Sequence, residues 1–321
     1  MTETEHTYLV CRALDTDPRS RSRAVLLAHG SEALAAGLRD SARTSGVTKG
    51  YLCVDAGDPD GAAVAESAAA QAALGMDVSV VPVEPSLVLE DDSALLRVLE
   101  GRQAIPHVGV PPAAPPALWG RPAVVLNLED LMRPAPGAPA TLAIAVWTGG
   151  EPLVAEVLET ATVREGLQAV DGAGFGGNGV HVVRFGGTVG RFLAGPALDT
   201  PLGPASPWCP PVLETVPPGV CGVGAVRDAL RELSAASCGA CVACREGLRQ
   251  LADMLADIAD ARAAAETAEL MLELGAALEA GSLCGLGCAA ADVLRTGLEV
   301  FAGDFRAHLK GAPCAEGSAG A

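Results

Sequence analysis

Four cysteines in the C-terminal third of the chain have the residue type and the spacing of metal ligands. Three follow one another at two-residue gaps and the fourth lies far downstream: Cys238, Cys241, Cys244 and Cys284. A tight turn can point three local thiolates inward, and a remote fourth thiolate completes a set that is commonly used to hold an iron–sulfur cubane. The spacing therefore favours a [4Fe–4S] cluster with these four ligands.

Other uses of the same region stay open. Zinc also binds four thiolates, although all-cysteine zinc sites usually consist of two separated Cys-x-x-Cys pairs. A thiol-rich loop without metal, or a redox-active Cys-x-x-Cys, is the remaining alternative. Cys288 follows Cys284 by one helical turn and is a rival fourth ligand. The isolated histidines are predicted to be surface or core residues and not ligands: His107, His181 and His308.

Composition and charge limit the classes of function. The chain has 321 residues, of which 50% are hydrophobic and only 3% aromatic, so two or three domains with cores of small aliphatic side chains are expected. A net charge of −17 argues against binding to nucleic acid or to an anionic membrane, and suits protein partners.

The sequence also allows an expectation about the cellular location of the protein. No apolar run approaches the ~20 residues of a membrane-spanning helix, and residues 1–7 lack the features of a signal peptide. We expect a cytoplasmic protein without direct membrane insertion, associated with a membrane only through a complex. In that compartment, the ten cysteines favour metal ligation over disulfides.

The elements that must position the cysteines follow from hydrophobic periodicity. Residues 1–139 alternate strand and helix patterns, which predicts an α/β domain followed by a proline-rich linker from Pro106 to Pro139. Strands are predicted near 8–11, 51–54 and 78–81, and helices at 24–38 and 62–74. No G-x-G-x-x-G pattern follows these strands.

Residues 140–222 predict a small β-grasp domain with a connector. Its expected elements are strands Thr141–Trp147, Glu151–Val157 and Val180–Phe185, a helix Val163–Val170, and a flexible glycine-rich loop Gly172–Gly179.

Residues 223–310 are predicted to form a helical bundle, and 311–321 a disordered tail. Apolar stripes recur at helical spacing at Leu248, Leu251, Leu255 and Ile258, at Leu270, Leu274 and Leu278, and at Val293, Leu294, Leu298, Phe301 and Phe305. This bundle is expected to return Cys284 to the Cys238–Cys244 turn.

The sequence around the cysteines closely resembles a known family. Ser237–Gly247 and Gly281–Gly287 are similar to the C-terminal cluster domain of the NADH-oxidising flavoprotein subunit of respiratory complex I and of NAD-linked hydrogenases and formate dehydrogenases. Leu118–Pro122 with Leu126–Asp130 resembles the family's Leu-Trp-Gly-Lys-Pro…Asn-Asn-Val-Glu-Thr segment. Residues 141–186 resemble its soluble-ligand-binding β-grasp domain. In the family the fourth ligand directly follows Ser-Leu, which implies Cys284 and not Cys288.

The departures from the family concern its nucleotide site. A glycine-rich Gly-Arg-Gly-Gly-Ala-Gly-Phe-Pro loop there precedes the first strand and wraps FMN and the nicotinamide nucleotide. This chain begins seven residues before that strand, so we expect a degenerate member without the loop. Arg12 and Leu14 stand where an Asn and an Asp are expected to meet the flavin. The nearby carboxylates are expected to be solvated surface groups and not nucleotide contacts: Asp15, Asp17, Asp91 and Asp92.

The resemblance implies an iron–sulfur electron-transfer subunit of a multisubunit oxidoreductase, with FMN doubtful. Its expected partners are other redox subunits, namely ferredoxin-like, flavin, dehydrogenase or hydrogenase subunits. One alternative is an active FMN-dependent NADH dehydrogenase whose missing loop comes from another chain or was lost through a misassigned start codon. The other is a structural subunit whose cluster only stabilises the bundle. The fold class expected is an α/β N-terminal domain, a small β-grasp domain and a C-terminal helical bundle that carries the cluster.

Overall fold

The computed structural model describes residues 8–72, 76–107, 116–133, 141–170, 181–203, 208 and 210–312. The chain divides into two compact units, Met1–Ala143 with Glu156–Leu158, and Ile144–Ala155 with Glu159–Ala321. Both sheets and helices are present in this described part, and the mixed α/β class expected from the sequence is confirmed.

The first unit is built on a five-stranded sheet in the order β3-β2-β1-β5-β4. Its strands are β1 (Tyr8–Arg12), β2 (Lys49–Asp55), β3 (Asp77–Val83), β4 (Ala117–Leu118) and β5 (Arg121–Asn127). All neighbours are parallel except β4. The central strand β1 sends Leu9 and Cys11 into one core and Val10 into the other. A parallel strand that is buried on both faces needs such a continuous apolar run.

Five helices accompany this sheet: α1 (Ser22–His29), α2 (Ser31–Ser45), α3 (Pro59–Ala72), α4 (Asp92–Leu99) and α5 (Leu128–Leu131). The single helix predicted at 24–38 is wrong, because Gly30 separates α1 from α2. Gly30 has a non-helical φ of −122°. A Cβ at this position would lie 2.1 Å from Met132 Cε, so the break permits a close contact that a larger residue would prevent.

The proline-rich segment is not only a linker. Its apolar stretch Ala123–Leu126 belongs to β5, which pairs in parallel with β1 at the centre of the sheet. Pro122 stands near the start of that strand, where the missing N–H is tolerated. Residues 108–115 and 134–140 of the segment lie outside the described residues.

A second five-stranded sheet has the order β7-β6-β10-β8-β9. Its strands are β6 (Thr141–Trp147), β7 (Leu153–Leu158), β8 (Val182–Phe185), β9 (Arg191–Ala194) and β10 (Val212–Val216), and α6 (Val163–Gln168) follows β7. The last strand, β10, lies parallel to the first, β6, and antiparallel to β8. Thr162 and Glu165 form a capping box that starts α6. The predicted loop Gly172–Gly179 lies outside the described residues.

The C-terminal helices are α7 (Gly222–Ala236), α8 (Val242–Ala259), α9 (Thr267–Gly281), α10 (Gly285–Val300) and α11 (Ala302–Leu309). The stripe predicted on α8 is confirmed, since all four of its members are buried. The stripe predicted on α9 is wrong, because Leu270 is 54% exposed and the buried face carries Met271, Gly275 and Leu278. The spacing of the leucines did not indicate this buried face, because one of its members is a glycine, Gly275. Residues 313–321 of the predicted tail lie outside the described residues.

Candidate functional site

The three local cysteines occupy a turn between two helices. α7 ends at Ala236, and Cys241 is the residue that caps the start of α8. Between them, Gly239 has a φ of +70°, a left-handed conformation that glycine adopts without a steric penalty. Cys238 is exposed, Cys241 is half-buried and Cys244 is buried. The solvent exposure of the three cysteines therefore decreases along the turn.

Two side chains fix the shape of this turn. The Ser237 hydroxyl accepts the Gly239 N–H at 3.2 Å and lies 3.3 Å from Cys244 Sγ. Arg245 Nη1 donates to the Gly239 carbonyl at 2.8 Å. Both polar groups of Gly239 are thus held by side chains that flank the cysteines.

The fourth cysteine lies beside the turn because two glycines allow a close approach. Cys284 caps the start of α10. A Cβ on Gly281 would lie 3.1 Å from Ala243 Cβ, and a Cβ on Gly287 would lie 3.2 Å from Cys244 Cβ. The chain on both sides of Cys284 therefore contacts the start of α8, at Ala243 and Cys244.

The electrostatic environment couples these thiols. Burial, which the hydrogen bond from Ser237 opposes and the charges of Cys241 and Cys238 reinforce, raises the pKa of Cys244 to about 11. A thiol of this kind stays protonated at neutral pH unless a cationic centre stabilises the thiolate. Ligation by iron would supply that stabilisation.

Cys288 has a different setting. Its Sγ donates to the Glu279 carbonyl at 3.5 Å. Burial, followed by the charges of Glu279 and Cys241, raises its pKa. The thiol of Cys288 thus has a backbone partner within the bundle.

The donor set fits a cluster better than a single ion. Among the described residues, no three His, Cys, Asp or Glu side chains are arranged to hold one metal ion. A [4Fe–4S] cluster does not need that arrangement, since each thiolate binds a different iron. In addition, the buried Ser282 Oγ has no hydrogen-bond partner in the described protein, although it lies beside Gly287 at the same site. A cluster would bring sulfur acceptors to this hydroxyl.

A second constellation lies in the first unit, at the carboxyl end of β1. Arg12 is 2% exposed. Its Nε donates to the Leu89 carbonyl at 2.6 Å, and Nη2 donates to Asp92 Oδ1 at 2.7 Å. Nη1 donates to Asn127 Oδ1 and lies 3.8 Å from Glu90 Oε2. The guanidinium thus joins the ends of two parallel strands to the segment before α4.

Arg23 extends this charged network. It donates to Glu90 Oε1 at 2.9 Å, to Glu129 Oε1 at 3.1 Å and to the Leu14 carbonyl at 3.0 Å. Burial alone would lower the pKa of Arg23, but the carboxylates of Glu129 and Glu90 raise it above its ordinary value. Arg23 therefore remains charged, and the buried Glu90 lies between two guanidinium groups.

Most of the carboxylates predicted to be solvated are instead buried or bonded to other groups of the protein. Asp17 is 1% exposed, and Asp15 accepts the backbone N–H groups of Arg23 and Ala24 at the start of α1. The prediction is wrong for these two because polar groups of the first turn compete with water for them. Asp91 caps α4 by accepting the Ala94 N–H.

Asp92 is partly exposed and paired with Arg12. Leu14, at the other expected flavin contact, is buried in the core. Neither of the positions expected to meet a flavin, 12 and 14, presents a free polar group in this structure.

The carboxyl ends of parallel strands are where open α/β sheets bind ligands. Here the Arg12 side chain and its partners fill that position. The adjacent cavity of about 270 Å³ is lined by one arginine, Arg21, and by four carboxylates, those of Asp15, Asp17, Asp55 and Asp58, so that acidic groups predominate. Such a lining repels the phosphates of a nucleotide.

The remaining candidates are separate from both sites. Cys11 and Cys53 are buried, and burial raises the pKa of each thiol, as expected for core residues. Cys221 is disulfide-bonded, which differs from the expectation of reduced thiols. His308 is buried with Nε2 3.4 Å from Cys221 Sγ. His107 and His181 are exposed.

Sequence reasoning missed the two serines and the new role of Arg12. Both serines could have been found by their distance in sequence from the cysteines, since Ser237 directly precedes Cys238 and Ser282 stands two residues before Cys284. The Arg12 network joins residues more than a hundred positions apart, and no local pattern indicates it.

Comparisons with known proteins match both regions. Residues 1–132 match the Nuo51 FMN-binding domain, and residues 224–308 match the NADH-ubiquinone oxidoreductase-F iron–sulfur binding region. The chain thus carries a 4Fe–4S binding region. No helix among the described residues has the length and hydrophobicity needed to cross a bilayer.

Individual relatives agree with these matches. An NADH-quinone oxidoreductase subunit of Aquifex aeolicus is 22% identical over 94% of this chain and 78% of its own length. The NADP-reducing hydrogenase subunit HndC of Solidesulfovibrio fructosivorans is 24% identical over 96% of this chain and 70% of its own. A chain in the crystal structure of the H2-reduced NAD+-reducing [NiFe]-hydrogenase has a similar fold, with a TM-score of 0.80 and 24% identity. That match covers 95% of this chain but only 57% of the hydrogenase chain.

The Arg12 network predicts a large stability effect. In Arg12→Met, the length of the side chain is kept but Glu90 loses one of its two cationic partners, so the free energy of unfolding should fall by ~3 kcal/mol. Arg43→Met is the matched control, because its pair with Asp40 is exposed on both sides and should contribute at most ~1 kcal/mol. Urea unfolding followed by circular dichroism measures both. Equal stability of the two variants would contradict a structural role for Arg12.

Proposed function

Since the chain belongs to the family of NADH-oxidising flavoprotein subunits of respiratory complex I and NAD-linked hydrogenases, we propose that it relays single electrons within a multisubunit oxidoreductase. It does so through one [4Fe–4S] cluster and holds neither FMN nor NADH in its own N-terminal domain. When bound, such a cluster supplies one-electron redox chemistry, while the protein supplies ligation, burial and electrostatics.

The proposed ligands are the thiolates of Cys238, Cys241, Cys244 and Cys284. The close contact of Gly287 with Cys244 supports this set, because it holds the start of α10 against the turn that carries the other three. We propose Cys284 and not Cys288 because the family's fourth ligand directly follows Ser-Leu, and because the Cys288 thiol donates to the Glu279 carbonyl.

One observation carries the flavin-free part of the proposal, namely the burial of Arg12 among its partners. A flavin ring and its phosphate need backbone donors at close approach and an open position at the strand ends. Here the guanidinium occupies that position, and displacing it would leave Glu90 buried without one of its two cationic partners. The acidic lining of the neighbouring cavity opposes phosphate binding as well.

The surroundings of the cysteines support exchange of electrons with another subunit. Cys238 is exposed, and two large apolar side chains next to ligand positions are exposed as well, Val242 at 64% and Leu283 at 40%. Apolar surface at this place suits contact with a protein. The proposed partners are ferredoxin-like, flavin, dehydrogenase or hydrogenase subunits, since a cluster with no second centre in its chain needs a donor and an acceptor nearby.

A second candidate function is that of an active FMN-dependent NADH dehydrogenase. The match of residues 1–132 to an FMN-binding domain favours it. It requires that Arg12 leave its network, or that a partner chain complete the nucleotide site elsewhere.

The ligand set is tested by single substitutions. After anaerobic purification, the wild-type chain should contain about four irons and four sulfides. Cys284→Ser should lower the iron content, because serine is a poor ligand for cluster iron, whereas Cys288→Ser is the matched control one turn away and should keep it. Iron and acid-labile sulfide assays measure both. If the two variants exchange these results, or if stoichiometric zinc replaces iron, the assignment is incorrect.

The flavin-free proposal is tested separately from the cluster. The protein that carries its cluster should release no FMN on denaturation and should not reduce ferricyanide with NADH, because the strand ends are filled by Arg12. Flavin fluorescence and a dye-reduction assay measure these properties. Stoichiometric FMN together with NADH-driven ferricyanide reduction would support the dehydrogenase instead.

A further inference from the structure

Two serine hydroxyls lie beside the proposed ligands without being ligands themselves. We propose that Ser237 and Ser282 are positioning residues that donate hydrogen bonds to sulfur atoms of the cluster centre and raise its reduction potential. This inference rests on the proposed function, because it concerns the same four-cysteine site.

The geometry of Ser237 fixes the direction of its hydrogen bond. Its Oγ accepts the Gly239 N–H at 3.2 Å, which leaves the hydroxyl proton free for another acceptor. Cys244 Sγ lies 3.3 Å away. A ligating cysteine is a thiolate without a proton, so in the loaded protein the serine must be the donor. Cys244 is 4% exposed, and the absence of water strengthens such a bond.

Ser282 differs from Ser237, because its hydroxyl has no acceptor among the described residues. Its Oγ is buried and has no hydrogen-bond partner in the described part of the protein. A Cβ on Gly287 would lie 2.2 Å from this oxygen and 3.2 Å from Cys244 Cβ. The hydroxyl and Cys244 therefore border the same small space, which exists because residue 287 is glycine. A buried unpaired hydroxyl is unfavourable, and a sulfur acceptor at the ligand site would satisfy it.

The sign of the effect follows from charge. Reduction adds one negative charge to the cluster centre, and part of it resides on the sulfur atoms. A hydrogen-bond donor to sulfur stabilises the more negative state more strongly. Each hydroxyl should therefore favour the reduced form, and its removal should lower the potential.

The test compares variants of the holoprotein in a redox titration followed by electron paramagnetic resonance. In Ser237→Ala, and separately in Ser282→Ala, the ratio of reduced to oxidised cluster at the wild-type midpoint should fall about tenfold, which corresponds to about 59 mV for a one-electron couple. Ser237→Thr keeps the hydroxyl and should restore the wild-type potential. Ser234→Ala, on the preceding turn of α7, is the matched control and should not change it.

The outcomes separate this inference from the proposed function. A wild-type chain without a cluster contradicts the proposed function itself. A cluster whose potential is unchanged in both alanine variants contradicts only the role of the serines. If Ser237→Ala loses its iron while Ser237→Thr keeps both iron and potential, the hydroxyl is required at the cluster and the inference is supported. Loss of iron in both Ser237 variants shows a requirement for serine packing alone and overturns the donor role.

Discussion

The whole C-terminal site depends on the close approach of the starts of α8 and α10. The proposed ligand set takes thiolates from both starts, and α8 is approached closely where residues 281 and 287 lack side chains. A Cβ at position 287 would lie 2.6 Å from Ser282 Cβ and 3.2 Å from Cys244 Cβ, so a larger residue there requires one of them to shift. Gly247 extends this contact, since a Cβ there would lie 2.8 Å from Leu278 Cγ. Chemistry at the cysteines is therefore set by glycine packing in the bundle.

In the first unit, buried charged side chains fill the position at which a ligand could bind. The position at which a parallel sheet usually offers its strand ends to a ligand is filled by two arginines and their carboxylates. Buried ion pairs of this kind contribute little net stability, but removing one partner leaves a charge buried and unpaired at high cost. Displacing either arginine is therefore energetically costly. This cost favours the proposed flavin-free role over that of an FMN-dependent dehydrogenase with the same type of domain.

The turn that carries three cysteines was predictable from the sequence, because ligand spacing is a local property that a turn preserves. The strand β1 was predictable as well, since it is a short apolar run, whereas β5 lies in a segment that was predicted to be a linker because of its prolines. The α9 stripe failed because the buried face includes Gly275, which carries no hydrophobic signal. The Arg12 network could not be predicted, because it joins Leu89, Asp92 and Asn127 across distant parts of the chain. From the sequence, Arg12 was considered only as a departure from an expected flavin contact, whereas in the structure its side chain has these three specific partners.

The central claim is that one cluster, without a flavin, carries the electrons that this chain relays. The most direct test is a coulometric reduction of the anaerobically purified protein, which counts the electrons taken up per chain. The account predicts that one electron per chain is taken up with the visible absorbance change of a cluster, because a [4Fe–4S] cluster changes its charge by one in such a relay; the disulfide at Cys221 is reduced without a visible absorbance change. An uptake of three electrons, two of them with the absorbance changes of a flavin, would contradict it.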